Sequence, residues 1–400
     1  MHKKRIAYST ALKKLHPHFQ QWHARGRRIL VRIDANVPIK NGTIADDYRL
    51  LKILPTLHTL REMHATIVLL THLGRPTTSE SSLSTRLLIP WFEKHNFPIN
   101  FAETIEDAYE KSLSSHNTLL LLENLRFFPG EKNNDRFFAQ QLARLGDYYI
   151  NDAFATLHRE DTSITLLAEE FSPEHRSIGL LVEHELQGLA PLIKNVTHPY
   201  CVVIGGGKPG SKIALLQHIA SYADYLLLCP ALVFTFLKSQ GQEIGKSLYD
   251  KAALKSAQEL LNNPQRASLH FPEDYLVSKE TIEGPYTLTS DDTLSPTDIG
   301  ISIGPKTIDR FSQVIKSSQS IFFNCGMGFL NKSETTAATH KLLDTIAQSN
   351  SYSVVGGGES VALARHAGFE HAIDFLSTGG GATLTYLANI PLPGLMSIMS

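Results

Sequence analysis

The sequence is poor in cysteine. Its three thiols, Cys201, Cys229 and Cys325, lie far apart with no C-x-x-C pair, which argues against a disulfide framework or a thiolate zinc site and for a reducing compartment such as the cytoplasm. Charge of one sign is also lacking: 38 Lys and Arg stand against 39 Asp and Glu, so the chain is no general binder of nucleic acid or membrane surfaces. Any basic cleft must come from where the charges are placed. Long hydrophobic runs are missing too. The longest, Tyr225 to Leu237, is short and interrupted by Pro230, and the M-H-K-K-R-I-A-Y-S-T start has no apolar core behind its charges, so neither a membrane span nor a signal peptide is expected. The 18 histidines include no H-E-x-x-H or comparable ligand spacing. Internal repeats, low-complexity tracts and coiled-coil signals are absent as well.

What is present is a regular alternation of short apolar runs with longer helix-like stretches, the pattern of parallel α/β architecture. A length of 400 residues suggests two domains. Strands are expected near Ile29 to Ile33, Thr66 to Leu70, Thr118 to Leu122, Tyr148 to Ile150, Tyr200 to Ile204, Tyr225 to Leu228, Ile321 to Phe323 and Ser353 to Val355. The stretch from Leu180 to Asn195 reads as a helical connector, and the polar segment from Thr287 to Thr297 as a surface excursion. In open parallel sheets ligands bind beyond the carboxyl ends of strands, so the loops there are the places to look.

The most informative loop is C-V-V-I-G-G-G-K-P-G-S-K, Cys201 to Lys212. An apolar strand ends in three glycines that let backbone approach a ligand, and a following helix would aim free N–H groups at an anion. Lys208 and Lys212, one turn apart, would share a side of that helix. Two more strand-to-glycine junctions follow, S-V-V-G-G-G-E-S (Ser353 to Ser360) and I-D-F-L-S-T-G-G-G-A-T (Ile373 to Thr383), which together read as one phosphate site. G-G-G-K-P-G also satisfies the dinucleotide fingerprint, but the next acid, Asp224, precedes an apolar run instead of ending one. G-Q-E-I-G-K-S, Gly241 to Ser247, is one residue short of a nucleotide-triphosphate loop and follows a helix-like segment, so a helix-ending turn is the better reading.

The first half carries different loops: R-I-D-A-N-V-P, T-H-L-G-R-P, E-N-L-R-F-F-P-G-E and N-D-A-F-A-T-L-H-R. Arg75, Arg126 and Arg159, joined by Arg49, could encircle a small polyanion, because guanidinium forks pair with carboxylate and phosphate. His72 adds a donor, while Asp34 and Asn36 suit hydroxyls. An anion-binding half joined to a phosphate-binding half suggests phosphoryl transfer between two ligands.

In order and spacing these strings, with I-G-P-K-T-I and T-F-L-K-S-Q-G, resemble the phosphoglycerate kinase family over nearly the full length. The resemblance implies an α/β fold of two Rossmann-like domains, each with a six-stranded parallel sheet flanked by helices: residues 1–183 for phosphoglycerate, and 184–390, opening with a hinge helix, for nucleotide. A tail of residues 391–400 would return to the first domain. It implies reversible transfer between 1,3-bisphosphoglycerate with MgADP and 3-phosphoglycerate with MgATP, after hinge closure, in a cytoplasmic monomer. By motif, Asp34, Asn36, Arg49, His72, Arg75, Arg126 and Arg159 would bind the glycerate. Lys208, Lys212, Asn324, Asn331, Glu359 and Ser360 would serve the nucleotide, with Gly205, Gly206, Gly207, Gly356, Gly357, Gly358, Gly379 and Gly380 as its backbone cradle and Glu359 as the magnesium-linked carboxylate. Arg49 and Lys212 would neutralise charge on the transferring group.

Against the family pattern, Ala35 stands for a usual Phe, Ala155 for a usual Gly, and Glu160 and Asp161 for small residues and a histidine. The adenine-side glycine cluster reads L-C-P-A-L-V, Asn331 replaces a ribose-binding glutamate, Glu359 an aspartate, and Ser211 an acid. These changes concentrate around the nucleoside and metal. They leave two expectations, a working kinase with an altered nucleotide site and a non-catalytic binding protein on the same scaffold.

Overall fold

Aliphatic and β-branched runs such as Leu30-Val31 and Val202-Val203-Ile204 are buried on both faces, as strands inside a parallel sheet must be. In the computed structural model, which describes residues 15–114, 118–263 and 266–400, they form two six-stranded sheets in separate units. One unit comprises Met1–Gln187 with Ile390–Ser400, the other Gly188–Asn389.

The first sheet contains β1 (Arg28–Ile33), β2 (Thr66–Leu70), β3 (Ile99–Ala102), β4 (Leu119–Leu122), β5 (Tyr148–Asp152) and β6 (Arg176–Ile178), in the order β3-β4-β2-β1-β5-β6. All its pairings are parallel, with Leu30 of β1 beside Val68 on one side and Tyr149 on the other. Helix α1 (Tyr48–Glu62) lays Leu50, Ile53, Leu57 and Leu60 on the core that also holds Ile29, Val31 and Ile67. Helix α2 (Leu180–Leu189) carries the chain across the boundary between the units.

In the second unit β7 (Tyr200–Ile204) leads into α3 (Pro209–Ile219), followed by β8 (Tyr225–Leu228) and β9 (Ser268–His270). A three-stranded antiparallel sheet comes next: β10 (Tyr275–Lys279), β11 (Tyr286–Leu288) and β12 (Asp298–Ile303). β13 (Ser320–Asn324), β14 (Tyr352–Gly356) with α4 (Gly358–His366), and β15 (Phe375–Ser377) with α5 (Gly381–Leu387) complete the parallel sheet, ordered β9-β8-β7-β13-β14-β15. The last helix, α6 (Pro393–Met399), belongs to the first unit: Gly394 N donates to Leu157 O at 3.0 Å, and Arg176 Nε to Ile398 O at 3.2 Å.

All eight strands expected from the sequence are present, three with the expected ends and the others with ends moved by one or two residues. Missing from that reading were the four edge strands β3, β6, β9 and β15, three or four residues each, the short hairpin of Ile39–Lys40 with Thr43–Ile44, and the three-stranded antiparallel sheet. The expected excursion at Thr287 to Thr297 is corrected in part: Thr287 and Leu288 pair with β10, and Leu294 is buried. Among the described residues no helix is long and apolar enough to cross a membrane.

Candidate active site

In the first unit, parallel strands deliver their following loops to one edge of the sheet: Asp34 after β1, His72 after β2, Arg126 after β4 and Arg159 after β5. Arg49 enters from the first turn of α1. Its Nη1 lies 3.1 Å from Asp34 Oδ2 and donates to Asn36 O at 3.0 Å. Asn36 Oδ1 accepts from Gly74 N at 2.9 Å, and the Arg126 guanidinium donates to Gly74 O. Gly74 itself must be glycine, since φ is +59° and a Cβ would come within 2.6 Å of Leu83. These bonds tie Asp34, Asn36, Arg49 and Arg126 into one cluster. Arg75 is the exception, standing exposed at the rim.

Five buried polar atoms of this region have no hydrogen-bond partner: Asp34 Oδ2, His72 Nε2, Arg126 Nε, His158 Nδ1 and Asp161 Oδ2. The Asp34 atom keeps its ion pair with Arg49. Buried polar groups are almost always bonded, so such a cluster is suited to a ligand rich in both acceptors and hydroxyls. Burial, and after it the charges of Arg32, Arg126, Arg159 and Arg49, hold the His72 imidazole well below its usual range, so the ring is neutral. Burial and the neighbouring Arg159 bring Arg126 down to about 10, which leaves it a cation at neutral pH. Arg159 sits 4.0 Å from Asp161, whose other oxygen is paired with Lys132 at 2.6 Å.

Sequence reading missed Arg32, Ser163 and Glu131 beneath this cluster, all fully buried. Arg32 carried the one available signal, a charge inside an otherwise apolar strand. Glu131 and Ser163 had none, because their partners lie at least 32 residues away.

The second site is built from backbone. β7 runs into Gly205, where a Cβ would meet Cys229 Cβ and Cys325 Sγ at 2.6 Å, and Gly206 takes φ +80° while its N–H donates to Pro230 O at 2.7 Å. Lys208 caps α3 in the left-handed conformation with Pro209 behind it, and its side chain is exposed. Lys212, one turn into the helix, folds back to donate to Gly205 O. Burial lowers its ammonium pKa, against which Cys325 and Glu359 act.

The other glycine turns arrive at the same place. A Cβ on Gly206 would lie 3.5 Å from Gly326 O and 3.7 Å from Lys212 Nζ, and one on Gly326 would lie 2.9 Å from Glu359 Oε2. Asn324 Nδ2 donates to Gly356 O at 2.7 Å, Gly357 at φ +95° donates to Gly379 O at 3.0 Å, and Gly380 faces Gly357. Gly207, Gly358 and Glu359 are exposed at the opening, and Ser360 is buried behind them. Asn331 lies apart, exposed in the turn closed by the Phe329 and Lys332 bridge, with no hydrogen bond to the cluster. Gly326 was not singled out in the sequence, although its backbone links the first glycine turn to Glu359. Among the described residues no three His, Cys, Asp or Glu side chains group as a metal site. The single carboxylate of Glu359 beside the glycine turns would nevertheless suit magnesium, which usually takes one or two carboxylates and completes its shell with other oxygens and water.

Comparison with known proteins adds an independent line. The sequence profile of the family described as "Phosphoglycerate kinase" matches residues 19–389. The phosphoglycerate kinase of Dictyoglomus turgidum is 35% identical over 381 residues, covering 93% of this chain and 95% of its own. That of Thermus thermophilus is 35% identical over 379 residues, covering 93% and 96%. Among solved structures, phosphoglycerate kinase from Pyrococcus horikoshii superposes with a TM-score of 0.83 at 27% identity over 96% of this chain and 98% of its own, and that from Coxiella burnetii with 0.76 at 29% over 94% and 97%. With a family profile spanning most of its length, two sheets of matching architecture and relatives aligned nearly end to end, the chain belongs to the phosphoglycerate kinase family.

Proposed function

We propose that this phosphoglycerate kinase binds its glycerate ligand on the first unit through Asp34, Asn36, Arg49, His72, Arg126 and Arg159, with Arg75 at the rim, and its nucleotide on the second through the three glycine turns. The observation that carries the glycerate assignment is the set of buried polar atoms without a hydrogen bond on Asp34, His72 and Arg126, the first still ion-paired with Arg49, which a carboxylate, a hydroxyl and a phosphate would satisfy together. On the second unit, Gly205 to Gly207 and the start of α3 offer backbone donors to the phosphates, with Lys208 and Lys212 as cations. Gly356 to Gly358, Gly379, Gly380, Asn324 and Ser360 would close the cradle, and Asn331, exposed and apart from it, would reach the nucleoside only through the turn that carries it.

The reaction breaks the bond between phosphorus and the acyl oxygen of 1,3-bisphosphoglycerate and forms one to the terminal phosphate oxygen of ADP, leaving the carboxylate of 3-phosphoglycerate and ATP. A loose transition state spreads charge over the transferring oxygens, so positioned cations do most of the catalysis. Lys212 suits that task because it is largely buried, where its charge acts at low dielectric, and because its present acceptor is a backbone carbonyl that a phosphoryl oxygen can replace. Arg49, steered by Asp34, would complement it from the glycerate side. Glu359 would hold magnesium, which would neutralise phosphate charge. Cytoplasmic location and a monomeric state belong to the same reading.

The test is steady-state turnover of purified protein with 3-phosphoglycerate and MgATP, coupled to NADH oxidation. Turnover that disappears in Lys212→Ala is the expected result. No turnover with MgATP, MgGTP or the manganese salts, with glycerate binding intact, would reject the kinase assignment.

A further inference from the structure

Beneath the glycerate cluster lies a line of hydrogen bonds in which Arg32, having no acceptor atom, fixes the direction of its own two side-chain bonds. Glu131 accepts twice from Ser163, from its N–H at 3.0 Å and its hydroxyl at 2.7 Å. Having given its proton away, Ser163 Oγ can only accept from Arg32 Nε, which it does at 2.8 Å. Arg32 has no acceptor atom, so its Nη2, 3.1 Å from His72 Nδ1, must be the donor there. All four side chains are essentially closed to solvent.

The consequence falls on the far side of the imidazole. A ring whose Nδ1 accepts, and which is neutral, must carry its proton on Nε2, and that atom is buried without a partner. We propose that Arg32, anchored by Ser163 and Glu131, is a positioning residue that locks His72 in the Nε2–H tautomer and so presents one fixed donor to the phosphoglycerate. The inference rests on the glycerate reading given above. Arg32 is well suited to the task, because its planar fork spans Ser163 and His72 at once and its third nitrogen is held by Ile33 O. A lysine would keep the charge but lack the fork. Burial raises the Glu131 pKa and the Arg32 charge acts against that rise, so acid and cation are coupled across Ser163.

The direct test is 15N NMR of the full chain, with the His72 signals assigned by their loss in His72→Gln, followed across the neutral pH range. The expected pattern is Nε2–H throughout. In Ser163→Ala the line is cut, both tautomers should appear, and the Kd for 3-phosphoglycerate should rise about tenfold or more while that for MgATP holds. An Nδ1–H tautomer in the unmodified protein overturns the proposal, as does Ser163→Ala with tautomer and affinity both unchanged. Should Ser163→Ala fail to fold, Arg32→Lys carries the same expectations. Unmodified protein that shows Nε2–H but binds no 3-phosphoglycerate would overturn the glycerate reading, and with it the ligand half of this inference, separately from the tautomer.

Discussion

On the proposed reading, the two sites would bind anions by opposite means. In the first unit recognition is entrusted to side chains: four arginines around one imidazole, with acids set among them, much of the group buried and part of it unpaired. In the second it is entrusted to backbone, with glycines at Gly205, Gly326 and Gly357 where any Cβ would collide within 3 Å. None of the unpartnered buried atoms belongs to that cradle. A side-chain site can discriminate by charge and hydroxyl pattern, but it holds buried charge that must be balanced. A backbone site fits any phosphate chain and depends on the close approach of main chains. The first should therefore respond to charge and pH, the second to volume.

Lys212 is the buried cation of the backbone site, so its removal should have the largest effect. Lys212→Ala should lower kcat by about 10²- to 10³-fold, the usual loss when a preorganised charge on the transition state is deleted. Binding of 3-phosphoglycerate, measured by calorimetry, should be unchanged. A weakened glycerate Kd with normal kcat would place Lys212 outside the chemistry.

The pH response of the first site should come next in size. Burial first, and Arg159 second, push His158 down to about 4, so the folded chain refuses a proton that the unfolded chain accepts near 6.5. The folded pKa is the lower one, hence the stability is present above about 6.5 and is lost as pH falls toward 4. The loss should be at most about 3 kcal/mol for a shift of this size. Urea unfolding at several pH values should show this slope reduced in His158→Asn. An identical slope in the variant would assign it to other groups, among which Asp152, raised to about 6 by burial, acts with the opposite sign.

Volume is the lever on the second site. Gly205→Ala forces a methyl against Cys229 Cβ, Cys325 Sγ and Pro230 O, all within 2.8 Å, and should cost about 1–3 kcal/mol of stability together with nucleotide affinity. Gly207→Ala, which meets nothing within 4 Å, is the matched control. Equal effects from the two would mean that close backbone approach is not what Gly205 provides.

The same contrast explains what could be read in the sequence. The glycine turns were legible because each is local, a strand, three glycines and a helix start within a dozen residues, and Lys212 came with them. Asp34, His72, Arg126 and Arg159 were legible as unusual residues at strand ends. The long central strands announced themselves through runs such as Thr66–Leu70, whereas β6 and β9, three residues each and polar in part, had too little periodicity to register. Glu131, Ser163 and Arg32 were invisible as a group because they meet only in the fold. Gly326 went unremarked since its meaning lies in Glu359, which packs against it from a different turn.

Asp161 gives the smallest effect, and the one that best separates charge from shape. Its carboxylate is buried beside the glycerate arginines, with one oxygen on Lys132 and the other unpartnered 4.0 Å from Arg159. If the glycerate binds at Arg159 as proposed, it would compete with this carboxylate. Asp161→Asn keeps the shape and removes the charge, so the KM for 3-phosphoglycerate should fall by about three- to tenfold, the scale of a partly screened ion pair at a few ångströms. Added salt should erase much of that gain, because the extra attraction is electrostatic. Lys132→Met should shift KM the other way by leaving the acid unbalanced, and should do so only while Asp161 is present. A double variant in which the two effects simply add would show that the pair does not act on the ligand as a unit. A KM for Asp161→Asn that rises instead would mean the carboxylate orients Arg159 for binding and does not compete with the substrate.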